Sequence, residues 1–185
     1  MPLRRWMLVP ALAASLALPL SGCTPTTPKP TPTKSASHAP LFSSDEEALA
    51  AATKAYAAYQ AVTDEVLHDG GESPFRYRKV AAGSALRDAL TGAKDMRESG
   101  LHTVGKTTFD SAKLQSRSRL AKTRVQFYVC DDVSGTDLVD ASDVSQVTNP
   151  KNRRTPWEVE IQFSTRSHGL VYVRDFWSGD DFCAQ

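Results

Sequence analysis

At Gly100 the hydrophobic period of this chain changes from about 3.6 residues to two, and that switch constrains the fold more than any other feature. Upstream, Leu49, Ala52, Tyr56, Tyr59, Val62 and Val66 recur at helical spacing. Ser43 with Glu46, or Ser44 with Glu47, fits a capping box ahead of them, and Asp45 adds a charge favourable to a helix N-terminus. Gly70-Gly71 stop the helix. Ser73-Pro74 predicts a second, short helix, a cap followed by proline in the first turn, with Phe75 opening an apolar face that continues at Val80. Gly83-Ser84 restart the chain, and Leu86, Leu90, Ala93 and Met96 mark a third helix ended by Gly100.

Downstream, residues 101–110 predict a strand. Over 119–130 one face is Ala121, Thr123, Val125, Phe127 and Val129, and the other is Leu120, Lys122, Arg124, Gln126, Tyr128 and Cys130. Trp157, Val159, Ile161 and Phe163 alternate with Glu158, Glu160, Gln162 and Ser164, the pattern of a half-buried strand. The next strand covers 170–177, and the Ser167-His168-Gly169 turn makes the pair an antiparallel hairpin. Residues 131–143 form an acidic, turn-rich link with an apolar centre at Leu138-Val139, and 149–152 form a loop. Helices first and antiparallel strands after predict an α+β domain over 41–185, with the helices packed on one face of a curved sheet.

The N-terminus carries an address. Arg4 and Arg5 precede an apolar run from Trp6 to Leu20, broken by Pro10 and Pro19 and shorter than the ~20 residues of a stable membrane span. It ends in Leu20-Ser21-Gly22-Cys23, which looks like the lipobox of bacterial lipoproteins. Residues 1–22 are thus expected to be a signal peptide. Cys23 is expected to take a diacylglyceryl lipid as a thioether, with acyl chains such as palmitate holding the protein to the outer face of the cytoplasmic membrane. An ordinary signal peptide, with Cys23 incidental, is the alternative. Of the seventeen residues 24–40, ten are Thr or Pro and none is large and apolar, so residues 23–40 read as a disordered, extended tether.

A formal charge of +1 gives no electrostatic reason to expect nucleic acid. From residue 41 onward, 18 basic residues face 21 acidic ones, a mildly acidic domain. Arg117, Arg119, Lys122 and Arg124 suggest a basic stripe on the outer sheet face, with Lys151, Arg153 and Arg154 in a loop. Asp131, Asp132, Asp137, Asp140 and Asp143 are the acidic counterpart. Such runs read as solvated faces, or as a docking surface for an envelope partner. With Cys23 lipidated, Cys130 and Cys183 remain. An extracytoplasmic compartment and an even remainder favour a disulfide that pins the C-terminus, against two free thiols or a metal site.

Val80-Ala81-Ala82-Gly83-Ser84-Ala85-Leu86, the stretch from Val129 to Asp140, Trp157-Glu158-Val159 and Cys183 together resemble secreted lipoproteins of Gram-positive bacteria with a nuclear-transport-factor-2-like cone, a cystatin-like fold shared with ketosteroid isomerases and scytalone dehydratase. The resemblance implies that Cys130 and Cys183 pair. It also implies an apolar pocket between the first helix and the concave sheet face, with Tyr56, Tyr59, Phe127, Trp157 and Tyr172 as candidate lining. Enzymes of that fold place an acid or base in the pocket, for which Tyr56, Tyr59, His102, Tyr172 and Asp175 are the candidates here. Strict alternation puts Asp175 on the strand face opposite Tyr172. There is no phosphate loop, no His/Glu metal motif and no nucleophile elbow, so neither a metal nor a cofactor beyond the lipid on Cys23 is expected. The expected function is a non-catalytic envelope module that binds a protein or a small apolar ligand. A cone-fold isomerase or dehydratase, or an accessory subunit of cell-wall assembly or export, is the alternative.

Overall fold

A computed structural model describes residues 41–118, 123–148, 153–177 (Trp177 by its backbone), 179 and 182–183. The leader 1–22, Cys23 and the tether to residue 40 lie outside the described residues, as do 119–122 and the expected loop 149–152. The order is helix α1 (Asp45–His68), a short 3-10 helix (Pro74–Lys79), α2 (Gly83–Ser99), then β1 (His102–Gly105), β2 (Thr108–Arg117), β3 (Arg124–Asp132), β4 (Thr136–Val139), β5 (Arg154–Ser164) and β6 (Gly169–Trp177). The architecture is α+β, with helices packed on an antiparallel sheet of order β2-β3-β5-β6, and β1 and β4 pair separately.

Ser44 caps α1, its hydroxyl accepting the Glu47 N–H at 3.2 Å, while the Glu47 carboxylate accepts the Ser43 N–H at 2.7 Å. From there one ridge of α1, Ala48, Ala52, Tyr56 and Gln60, is buried against the sheet. The two alanines allow the helix backbone to approach closely; Tyr56 then occupies the widening space. The ridge meets Val125, Phe127 and Val129 of β3 and Val159 and Ile161 of β5 in one core. Those two strands pair Val125 with Ile161, Phe127 with Val159 and Val129 with Trp157, so the inner faces follow the expected alternation. A second face of α1 packs Val66, with Tyr59 and Val62, on Tyr77 of the 3-10 helix and Ala93 of α2. At the start of α1, Arg117 from the end of β2 pairs with Asp45 and donates to the Phe42 carbonyl.

The open edge of β6 is covered by the chain between the helices. The Ala82 N–H donates to the Tyr172 carbonyl at 2.8 Å, and the Tyr172 N–H donates to that of Val80 at 2.9 Å. Pairing this edge removes a template for unwanted strand addition. On the outer face, Cys130 is bonded to Cys183, closing a loop across 53 residues. Phe182 packs edge-on against Tyr128, and Arg154 donates to the Cys183 carbonyl while holding Asp110 with two bonds of 2.6 and 2.7 Å. The C-terminal segment is thereby tied to β2, β3 and β5.

Several sequence expectations need correction. The single strand over 101–110 is two strands, broken at Lys106 and Thr107. Gly105 lies at φ 87° with Gly135 so close that a Cβ would fall 2.0 Å from its carbonyl oxygen, and the Thr107 N–H turns to Asp64 of α1 at 3.2 Å. β2 continues to Arg117; irregularities between Asp110 and Lys113 and between Leu114 and Ser116 break its alternation, which hid it in the sequence. Leu138-Val139, read as the centre of a link, belong to β4. Ser73 does not cap: it sits at φ 53° with no side-chain bond to the helix. Phe75 is 64% exposed, and the buried residue of that turn is Tyr77.

Two outcomes follow from these contacts. Gly71 ends α1 at φ 82°, where a Cβ would lie 1.9 Å from the Ala93 carbonyl oxygen, whereas at Gly70, φ 65°, nothing comes nearer than 3.5 Å. Gly71→Ala should therefore cost well over ~2 kcal/mol and Gly70→Ala only ~1 kcal/mol in urea unfolding; equal costs would refute the close approach of the two helices. Reducing the disulfide should lower stability by ~2–4 kcal/mol through the freed loop, read as a shifted denaturation midpoint.

Candidate functional site

The polar groups on the inner side of the sheet converge on Asp131. This residue lies two positions beyond Val129 on β3 and so continues the inward face. Its Oδ2 accepts the Tyr56 hydroxyl at 2.7 Å and the Gln60 side-chain amide at 3.0 Å, both from the sheet-facing ridge of α1. The Gln60 amide also lies 3.0 Å from the Tyr56 oxygen. The other carboxylate oxygen, Oδ1, is buried with no hydrogen-bond partner among the described residues. Around this triad the rings close: the Tyr56 centroid is 5.1 Å from Phe109, 5.4 Å from Tyr172, 6.1 Å from Phe127 and 6.2 Å from Tyr59. Tyr59 in turn lies 4.3 Å from Tyr172 and 6.0 Å from Tyr77.

Burial pushes the Asp131 carboxyl up to about 6; the bonds donated by Tyr56 and Gln60 pull against that, and the Asp175 charge adds to it. The phenols move the same way. Burial, then the Asp131 charge, holds Tyr56 well above the ordinary phenol range. Burial likewise raises Tyr59, with Tyr77 next, and Tyr172, with Asp175 next. These tyrosines remain donors at any physiological pH. The cluster thus contains one carboxyl that exchanges its proton near neutrality, facing hydroxyl and amide donors.

The five residues expected to line one pocket separate into two roles. Tyr56 and Phe127, 2% and 0% exposed, lie inside the core, and Trp157 packs against it, so these three fill space rather than line it; a separate cleft of about 260 Å³ lies between Ala57, Gln60, Ala61 and Asp64 of α1 and Thr108 and Phe109 of β2. Tyr59 and Tyr172 instead line an open cleft of about 280 Å³ between α1, the 3-10 helix, α2 and β6, together with Tyr77, Asp88 and Asp175. Asp175 does share a face with Tyr172, contrary to strict alternation: Ile161 pairs with Tyr172 but Glu160 with Arg174, and the extra residue Val173 restores the two side chains to one side. Their proximity is what raises the Tyr172 phenol second to burial. His102 stands apart on β1, its Nε2 4.0 Å from Asp143. Of the expected basic stripe, Arg119 and Lys122 lie outside the described residues, Arg117 turns to Asp45 at the start of α1, and Arg124 lies 3.6 Å from Glu160 on the outer face. No cluster of three potential metal ligands occurs among the described residues, and no helix among them is long and apolar enough to cross a membrane.

The acidic run that begins at Asp131 reads as a surface in the sequence, although counting by twos from Val125 places Asp131 inward. Its raised carboxyl has a measurable consequence. An acid whose folded value lies above its unfolded one stabilises the fold below the unfolded value, and that contribution is lost as pH rises through about 6. Asp131→Asn keeps an acceptor for Tyr56 and removes the buried charge. It should be more stable than the parent at pH 7.5, by up to ~3 kcal/mol, with the gap closing toward pH 4. Urea unfolding at several pH values checks this; a gap independent of pH would refute it.

No family model matches the chain, and no curated protein matches it. Solved structures similar in fold include the intermembrane-space region of the chloroplast protein ARC6, 15% identical over 68% of this chain and 92% of that one, with a TM-score of 0.48. A periplasmic fragment of TraM is 14% identical over 73% and 97%, with a TM-score of 0.40. CagV, a VirB8 homologue from Helicobacter pylori, is 13% identical over 65% and 95%, with a TM-score of 0.28.

Proposed function

We propose that this chain is an extracytoplasmic lipoprotein, held to the membrane through Cys23 and the tether that follows, whose α+β domain is a non-catalytic binding module of the cell envelope. One observation carries the non-catalytic part. An isomerase or dehydratase of cone type needs its acid or base free in an open pocket, and here the inward Asp131 carboxyl is tied to Tyr56 and Gln60 at the edge of a core that Tyr56 and Phe127 fill. What remains accessible are open clefts at the rim, suited to a partner's side chain or to a small ligand. The leader, the Leu20-Ser21-Gly22-Cys23 motif and the Thr/Pro tract support the anchor, and a disulfide agrees with an oxidising compartment. A protein partner in the envelope fits the open clefts and the tether better than a buried apolar ligand does.

Expression with the native leader in a lipoprotein-processing host, in the presence of a tagged fatty acid, tests the anchor. The parent protein should carry the tag and sediment with membranes, and mass spectrometry should find a lipid-modified Cys23 as the first residue. Cys23→Ala should lose the tag and leave the membrane fraction, while Cys130→Ser keeps both. A tag retained in Cys23→Ala, or a mature start elsewhere, would overturn the proposal.

A further inference from the structure

On the opposite side of the sheet, the β5–β6 hairpin and the first turn of α2 enclose a groove of about 560 Å³, a volume in the range that takes small organic ligands. Three arginines line it, Arg124, Arg166 and Arg174. Glu160, 3% exposed at the base of the groove, organises two of them. Its carboxylate accepts from Arg174 at 2.7 and 3.1 Å and lies 3.6 Å from the Arg124 Nε. A guanidinium has five N–H donors, so each arginine keeps donors beyond those given to Glu160. Stacking of Arg174 over the Phe176 ring, at 4.6 Å, holds it further. Arg166, on the exposed hairpin turn, has no salt bridge or side-chain hydrogen bond among the described residues. The groove lining therefore carries three cations and one anion.

The wall contributed by α2 has the same sign. The helix starts on Ala82, which has no side chain to accept an N–H, and its first turn contains no acidic residue. The Ser84 hydroxyl is turned away to the Val173 carbonyl at 3.1 Å. An uncapped helix start thus faces the same space as three arginines, with Gln162 as a neutral donor between them. A single carboxylate, with one charge shared by its oxygens, would satisfy one guanidinium. A phosphate monoester offers about three terminal oxygens and nearly twice the charge on one centre, and it matches the spread of donors.

We infer that this groove is a binding site for a phosphate monoester, separate from the Asp131 cluster and independent of the lipid anchor. The ester has two sources, soluble glycerol 3-phosphate or the headgroup of phosphatidic acid. The full chain in neutral detergent micelles distinguishes them by hydrogen exchange of the α2 first turn and the 164–171 hairpin. Soluble glycerol 3-phosphate at ten times its Kd should slow exchange there about tenfold if the headgroup alone suffices. Slowing only when phosphatidic acid is doped into the micelles assigns the site to lipid. Either effect should disappear in Arg166→Ala, a surface change that removes no hydrogen bond or salt bridge among the described residues, with exchange of α1 unaltered. No slowing with either probe, equal slowing by sodium chloride at the same ionic strength, or slowing that persists in Arg166→Ala would overturn the assignment.

Discussion

The approach of α1 to the sheet governs this structure. Ala48 and Ala52 bring the helix in at its N-terminal end, and Tyr56 and Gln60, one and two turns further, hold it off. That graded ridge decides what else can exist inside. The space beyond the alanines is filled by Tyr56 and the rings around it, and the second face of α1 is left to pack against the 3-10 helix and α2. The Arg117 contacts with Asp45 and Phe42 set where the helix begins relative to β2. A longer residue at 48 or 52 would lift the helix and loosen both cores.

The two faces of the sheet each bury a carboxylate, and they handle it differently. Asp131 on the inner face meets neutral donors only, and one of its oxygens has no partner. Without a cation beside it, burial wins and the proton is held more tightly. Glu160 on the outer face meets Arg174 and Arg124, so its charge is compensated while the groove keeps a cationic surplus. The inner group is tied to Tyr56 and Gln60 beside the aromatic core; the outer one holds two arginines at the base of an open groove.

Much of the fold was legible in the residues. Capping at Ser44 and Glu47, the stop at Gly70-Gly71 and Gly100, and the inward sets on β3 and β5 are local chemistry expressed at fixed spacing. What escaped were departures from regularity. The irregular pairing of β2 blurred a period of two, and the extra residue Val173 moved Asp175 onto the face of Tyr172. Asp131 could have been found by parity, but its acidic neighbours suggested a surface. Aromatic spacing on α1 identified the residues of the interior correctly without revealing whether they line a space or fill it, because volume depends on what the opposite face contributes.

The amino-acid sequence by itself determined the class, helices before an antiparallel sheet, since periodicity and capping act within a few residues along the chain. It also identified two cysteines free to pair. Only tertiary structure decided that Tyr56 and Phe127 fill the core rather than line a pocket, that Asp131 is bonded to Tyr56 and Gln60, and that Arg124, Arg166 and Arg174 line one groove with the start of α2. Those outcomes depend on distances between segments far apart in the chain, set by the thickness of the Ala48–Ala52 contact and by single-residue shifts in strand register, and no local pattern encodes such distances.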